Sequence, residues 1–276
     1  MPHPREVARQ LLRRYGIRAK KSLGQHFLVD PNVLDRILEA AEVTPRDTVI
    51  EVGPGLGLLT QALAAHAGRV IAVELDRRMV AVLGETLAGR SNVEIVPADI
   101  LQVDPAQLAG GPYLVVANLP YYITSPILRH FLEAARPPTR LVIMVQKEVA
   151  DRIVAKPGAL SLLAVSVQVY GTPRIVAVVP PSAFLPAPDV ASAVLRIDVH
   201  AEPLIAPQER EWFFKVVSAG FSQPRKQLHN ALAQALWFPP GGAAAALEAA
   251  GIDPTRRAQT LSIAEWQRLA RAIPPR

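Results

Sequence analysis

The sequence predicts an α/β fold: a doubly wound, Rossmann-like sheet followed by a small C-terminal all-helical domain. Three observations carry this. Short β-branched runs alternate with helical stretches through most of the chain, which implies a mostly parallel sheet covered on both faces. A glycine-rich turn, Gly53-Pro54-Gly55-Leu56-Gly57, joins one of these strands to the helix after it. Beyond Val199 the β pattern stops and only helical periodicity remains. The boundary falls between a sheet domain at 1–200 and a helical domain at 207–276, with Ala201-Glu202-Pro203 and Ala206-Pro207 as linker.

The elements follow in order. A helix over 7–15 is followed by a basic turn. A second helix starts at Pro31, with Asp30 as its cap and proline at its first position. Thr48-Val49-Ile50-Glu51-Val52 is a β-branched strand that runs into the glycine turn and a helix over 58–66. Strands over 69–74, 93–96, 114–118 and 141–145 come next, separated or followed by helices over 77–88, 126–133 and 148–154. Two further apolar runs, 175–179 and 190–199, read as antiparallel strands at one edge. Helices over 208–219, 224–236, 243–250 and 263–272 make the second domain, and Trp212, Phe213 and Phe214 belong to its core.

Composition narrows the class. With 276 residues, half of them hydrophobic, the chain can bury a sizeable core, and it contains no cysteine. Disulfides, zinc ribbons and cysteine nucleophiles are thereby excluded. No apolar run approaches the roughly 20 residues of a membrane helix, and the N-terminal residues lack the order of a secretory signal. A cytoplasmic protein without membrane contact is expected. The net charge of +6 is concentrated at the start, where Arg5, Arg9, Arg13, Arg14, Arg18, Lys20 and Lys21 accompany a single acid, Glu6. Such clustering suits a polyanionic partner as well as a solvated helix. No His/Asp/Glu group has metal-ligand spacing, so no metal site is expected.

The glycine turn is the first chemical signal. In Glu51-x-Gly53-x-Gly55-x-Gly57 the glycines let the backbone turn sharply and approach a ligand. Glu74 ends the next strand, where an acid accepts hydrogen bonds from ribose hydroxyls. Asp99 follows the third strand, within reach of an adenine amino group. The glycine spacing is not that of a nicotinamide dinucleotide site, the main rival, and Asp99 argues against it too.

Asn118-Leu119-Pro120-Tyr121 is the second signal, at the end of the strand 114–118. An exocyclic adenine amine is a weak nucleophile because its lone pair is delocalised into the ring. An Asn oxygen and a nearby backbone carbonyl can accept its N–H bonds and leave the lone pair directed at an electrophile. Pro120 stiffens the turn and Tyr121 offers a stacking face. Orientation and electrostatics are then the main terms, with no strong base needed.

Several blocks together carry a family resemblance. They are Lys20-Lys21-Ser22-Leu23-Gly24-Gln25-His26-Phe27-Leu28, Val49-Ile50-Glu51-Val52-Gly53-Pro54-Gly55-Leu56-Gly57 and Asn118-Leu119-Pro120-Tyr121-Tyr122-Ile123. Val145-Gln146-Lys147-Glu148-Val149-Ala150, Pro180-Pro181-Ser182-Ala183-Phe184-Leu185-Pro186 and Thr260-Leu261-Ser262-Ile263 extend them. In this order they resemble the small-subunit ribosomal RNA adenine N6,N6-dimethyltransferases over nearly the whole chain.

The resemblance implies a methyltransferase sheet with S-adenosylmethionine as methyl donor. Gln25, His26, Leu28, Gly53, Gly55, Glu74, Leu75, Asp99, Ile100 and Asn118 would hold the donor. Asn118, Leu119, Pro120 and Tyr121 would carry the chemistry. Tyr121 and Phe184 would sandwich the adenine, and Arg225 and Lys226 would contact RNA. The implied substrate is a pair of adjacent adenosines in a 3′-terminal hairpin of small-subunit ribosomal RNA, and the partner is the small ribosomal subunit precursor. A monomer is expected.

Pro224 stands where the family usually has Arg, His229 replaces another basic residue, and Asp189 stands where Lys is frequent, which lowers charge on the RNA-facing surface. Two other readings stay open. One is a related large-subunit enzyme, against which the Thr260–Ile263 block speaks. The other is an assembly factor that keeps the fold without relying on catalysis, against which the complete Asn118–Tyr121 set speaks.

Overall fold

The computed structural model describes residues 3–17 and 25–275. Arg18, Lys20, Lys21 and the start of the Lys20–Leu28 block lie outside them. Helix α1 (Pro4–Arg14) precedes a short strand β1 (Phe27–Leu28) and helix α2 (Pro31–Ala41). The Asp30 side chain accepts from Asn32 N at 2.9 Å and Pro31 occupies the first turn, so α2 starts where its sequence says it must. There follow β2 (Thr48–Val52), α3 (Leu58–Ala64), β3 (Arg69–Glu74), α4 (Arg77–Thr86), β4 (Val93–Pro97), α5 (Pro105–Ala109), β5 (Leu114–Asn118) and α6 (Thr124–Leu132). The remainder is β6 (Arg140–Gln146), α7 (Lys147–Ile153), α8 (Leu162–Gln168), β7 (Gly171–Val179), β8 (Phe184–Leu185), β9 (Ser192–Val199), α9 (Arg210–Phe221), α10 (Leu228–Ala235), α11 (Gly242–Ala249) and α12 (Ile263–Ala272).

Seven strands form one sheet in the order β4-β3-β2-β5-β6-β9-β7. Neighbours from β4 to β6 are parallel, with Val49 opposite both Val70 and Leu114. The β9 strand runs antiparallel to β6, with Leu141 opposite Ile197. Central strands read as continuous apolar runs because helices cover both faces: Val49, Ile50, Val70, Ile71, Val115 and Val116 are wholly buried. Chain order reverses between β2 and β5, which opens a crevice at their C-terminal ends. Separately, β1 and β8 pair antiparallel, Leu28 opposite Phe184.

A charged network ties α2 to the antiparallel edge. Arg140 and Asp198 are register partners on β6 and β9. The guanidinium of Arg196 reaches Glu42 Oε1 at 2.6 Å, Asp198 Oδ1 at 2.8 Å and the carbonyl of Ala40 at 2.8 Å. Arg140 donates to the carbonyl of Ala41 at 2.7 Å. Two arginines thus satisfy carbonyls at the end of α2, which closes on Glu42 in the left-handed region at φ 50°.

By contacts the chain divides into two units: residues up to Ala150 with Pro173–Val199, and Asp151–Thr172 with the residues from His200 onward. The sequence reading put Asp151–Thr172 with the sheet. Instead α8 packs on α9, the Tyr170 ring stacks on Phe214 at 6.3 Å, and Gly158 and Leu160 both donate to Gln259 O. These contacts join residues far apart in sequence, so no local pattern announced them. The short helices α5 and α8 also went unpredicted, although Asp104 and Ser161 cap them.

In the second unit α9, α10, α11 and α12 pack in succession around Trp266, which is fully buried. Phe213 is buried, and Trp212 Nε1 donates to Ala270 O at 3.1 Å. The expected helix over 224–236 begins only at Leu228. Pro224 disfavours helical backbone at Gln223, and Gln227 is extended at ψ 148°, so the preceding residues form a turn.

Helix α12 opens with a capping box. Ser262 accepts from Glu265 N at 3.2 Å, while Glu265 accepts from Ser262 N at 2.7 Å and pairs with Arg256. The Arg256 guanidinium, with the Ser262 bonds, holds the Glu265 carboxyl down to about 2. A carboxyl that binds its proton more weakly when folded stabilises fully above its ordinary value of 4.5, and that stabilisation is lost as pH falls toward about 2. Glu265→Gln is therefore expected to lower the urea midpoint at pH 7 and to flatten the acid-side decline. Ser262→Ala is expected to cost about 1 kcal/mol. Urea melts between pH 2 and 7 check both, and an unchanged acid limb in Glu265→Gln would remove this carboxyl from the account.

Candidate active site

The crevice above β2 and β5 is a cleft of about 340 Å³, within the size range of small-molecule sites. Its floor is the glycine turn. Gly53, Gly55 and Gly57 all have positive φ, at 66°, 58° and 80°. At Gly55 a Cβ would stand 3.0 Å from the Phe27 ring, and at Gly57 one would stand 2.9 Å from Thr86 Oγ1. Glycine is thus required at both by conformation and by space.

Glu74 ends β3 and is tied into this turn. Its Oε2 accepts from Gly55 N at 3.1 Å and its Oε1 from Asp76 N at 2.8 Å. Burial raises its pKa, while those backbone bonds favour the charged form. Asp76, next along the rim, accepts from Gln25 Nε2 at 3.2 Å and pairs with Arg78, whose bonds lower its pKa against some desolvation. Leu75 is 67% exposed between them, an apolar face for a flat ring. Asp99 caps the turn after β4 by accepting from Leu101 N at 3.0 Å, and Ile100 is buried beside it.

The far wall is the end of β5. Asn118 Nδ2 donates to His26 O at 2.9 Å, which fixes the amide and turns Oδ1 away from that carbonyl. Leu119 is buried, and its N–H donates to Met144 O at 3.2 Å. Among the described residues nothing donates to Asn118 Oδ1 or to Leu119 O. Both acceptors stand beside the turn that Pro120 begins; of the two residues, Asn118 lines the cleft and Leu119 does not.

All ten residues expected to hold the donor line this cleft: Gln25, His26, Leu28, Gly53, Gly55, Glu74, Leu75, Asp99, Ile100 and Asn118. Pro120 joins them. Tyr121 does not line it; its ring stacks on His26 at 5.9 Å, and its hydroxyl lies 2.7 Å from Ser192 Oγ. Phe184 does not line it either. Pairing of β8 with β1 keeps that ring in the core at 1% exposure. Of the described Phe and Tyr rings that do line the cleft, Phe27 is buried and Tyr122 is 60% exposed. Arg225 and Lys226 belong to the second unit, where both are exposed in the turn before α10.

Glu51, Asp76, Arg78 and Tyr122 also line the cleft and were not singled out as site residues from sequence. Glu51 and Tyr122 lie within quoted motifs, and Asp76 caps α4 two residues after a strand-end acid, so these three carried a local signal. Among the described residues no group of three His, Asp or Glu stands where a metal ion could be held. No helix among them is long and apolar enough to cross a membrane.

Known proteins agree with this geometry. Residues 16–274 match the family described as ribosomal RNA adenine dimethylase. A protein of Dehalococcoides mccartyi (strain CBDB1), "Ribosomal RNA small subunit methyltransferase A", is 49% identical over 95% of this chain and 91% of its own length. The protein of that name from Moorella thermoacetica is 47% identical over 95% of both chains. The solved structure of the 23S rRNA methyltransferase ErmE superposes with a TM-score of 0.72 at 32% identity, over 89% of this chain and 98% of that one. A dimethyladenosine transferase from Plasmodium falciparum gives 0.77 at 26% identity, over 88% and 96%. Cleft, turn and sequence together mean that this chain belongs to the ribosomal RNA adenine dimethylase family of enzymes.

Proposed function

We propose that the chain transfers methyl groups from S-adenosylmethionine to N6 of two adjacent adenosines in a 3′-terminal hairpin of small-subunit ribosomal RNA. Each adenosine becomes dimethylated, so four donors are consumed, and the substrate is the small ribosomal subunit precursor. The observation that carries this is the anchored Asn118 amide, its Oδ1 without a donor among the described residues, on the wall of a cleft floored by glycines.

The cleft suits such a donor. Glu74 offers carboxylate oxygens for ribose hydroxyls, Leu75 an apolar face for adenine, Asp99 an acceptor for its amino group, and the glycine turn open backbone beside Gln25 and His26. A bound donor supplies an electrophilic methyl on its sulfonium. The chain's own part is to orient the target amine. Asn118 Oδ1 and Leu119 O accept its two N–H bonds, draw the nitrogen toward tetrahedral geometry and aim the lone pair. The methylated amine is acidic enough to lose its proton late, so no strong base is required.

Tyr121 supplies a stacking face for the adenine. A sandwich with Phe184 requires that ring to leave the core. Emptying a buried Phe site costs about 3–5 kcal/mol, whereas stacking a base returns about 1–3 kcal/mol, so the remaining RNA contacts must supply the difference. The second unit contributes Arg225 and Lys226 as phosphate contacts, and the chain acts as a monomer.

The direct test is methyl transfer from labelled S-adenosylmethionine to small subunits lacking the modification, with nucleoside analysis. Dimethyladenosine in small-subunit RNA is expected. Label confined to large subunits would select the other adenine methyltransferase reading, and tight binding without label would select an assembly factor. RNA contact has its own readout. Arg225→Ala with Lys226→Ala is expected to weaken RNA binding and to lower the slope of log affinity against log salt by about 2. An unchanged slope, measured by filter binding, would place the phosphate contacts elsewhere.

A further inference from the structure

Among the described cleft carboxyls, Glu51 and Asp76 have no task in the proposed chemistry, and Asp76 is already paired with Arg78. Glu51 sits on β2 just before the glycine turn, 1% exposed, and its Oε2 has no hydrogen-bond partner among the described residues. An ionised, unpartnered carboxylate in such a place is costly. The buried Thr60 hydroxyl on α3 makes no hydrogen bond of ordinary geometry and offsets that cost only in part. The strands on either side place Ala72 and Val116 opposite Glu51, so neither register partner brings a cation. The other charged groups around the cleft are Glu74 at the end of β3, Asp76 and Arg78 at the start of α4, and Asp99 after β4, with His26 beside them. Of these only Glu74 acts on Glu51, and it repels a second negative charge. Burial, with Glu74 adding to it and Thr60 opposing, pushes the Glu51 carboxyl up to about 8.

We propose that Glu51 couples donor capture to proton release: it is a neutral acid in the empty cleft and ionises when the net positive methyl donor enters. This rests on the reading of the cleft as the S-adenosylmethionine site. One O–H bond of Glu51 breaks, its proton passes to buffer, and no bond of the donor changes. S-Adenosylhomocysteine, the product, has lost the sulfonium charge and so drives less ionisation. Glu51 therefore discriminates donor from product, and the discrimination depends on pH.

The test is calorimetry of S-adenosylmethionine and S-adenosylhomocysteine binding in buffers of different protonation enthalpy, from pH 6.5 to 9, on wild type and Glu51→Gln. Donor binding to wild type is expected to release close to one additional proton at pH 7 relative to Glu51→Gln. Donor Kd is expected to tighten about tenfold per pH unit below pH 8 and to level off above it, with a shallower profile for the product. The variant-to-wild-type difference cancels titration of the ligands' own amino groups. Infrared difference spectra of wild type alone give a second readout should Glu51→Gln fold poorly: a neutral carboxyl band is expected to disappear on adding donor. Donor binding with no extra proton release and no lost carboxyl band would overturn the coupling while leaving the methyltransferase reading intact. Failure of the wild type to bind donor at any pH would overturn both.

Discussion

Asn118→Ala is expected to lower methyl transfer by about 10²–10³-fold while changing donor affinity far less. The side chain stands at the end of β5 with Nδ2 held by His26 O at 2.9 Å, so its oxygen is presented without a search over rotamers. Removing it leaves Leu119 O as the one remaining acceptor for an amine with two N–H bonds, and the lone pair is no longer aimed. Asn118→Asp is the sharper variant. It keeps an acceptor of the same size but sets a second oxygen against the His26 carbonyl, so the anchor becomes a repulsion. Its activity is expected to fall as well, which separates anchored orientation from mere hydrogen-bond acceptance. Single-turnover kinetics with labelled donor, alongside calorimetric donor affinity, provides the measurement. Near wild-type turnover in Asn118→Ala would remove the amine-positioning role.

The second large effect is on folding. Arg196→Met is expected to destabilise the sheet unit by about 2–4 kcal/mol. The Arg196 side chain is 8% exposed, whereas those of Glu42 and Asp198 are 57% and 42% exposed. Both carboxylates can therefore turn to water once the guanidinium is gone, which keeps the loss at the moderate end. What cannot be recovered is the bond to Ala40 O at the buried end of α2. Glu42→Gln alone is expected to cost about 1 kcal/mol or less, because Asp198 still pairs with Arg196. Removing both carboxylates leaves a buried cation and is expected to cost more than the sum of the single changes. Urea unfolding of wild type, Glu42→Gln, Asp198→Asn and the double variant, with Arg196→Met beside them, decides this. Additive effects would mean that the arginine is held by backbone carbonyls alone.

The local signals were strong wherever one residue's covalent geometry decided the outcome. Pro31 and Asp30 start α2, the three glycines build the turn after β2, and apolar runs locate β2, β3, β5 and β6, because capping, positive φ and two-sided burial are written in neighbouring residues. The alternation of strands and helices places Glu74 and Asn118 at strand ends and Asp99 just beyond one, the family resemblance pointed to Gln25, His26 and Leu28, and all of these line the cleft. The family blocks supplied the chemistry expected there.

Tertiary structure decided the rest, for reasons that act between distant residues. Residues Asp151–Thr172 join the helical unit because Tyr170 meets Phe214 and Gln259 accepts from Gly158 and Leu160. Phe184 lies in the core because β8 pairs with β1, a contact across most of the chain, and Tyr122 is left as the exposed ring of the cleft. Glu51 could be read in its motif, but its lack of a partner could not. Whether a buried carboxyl is charged depends on every group packed around it, and only the fold brings those groups together.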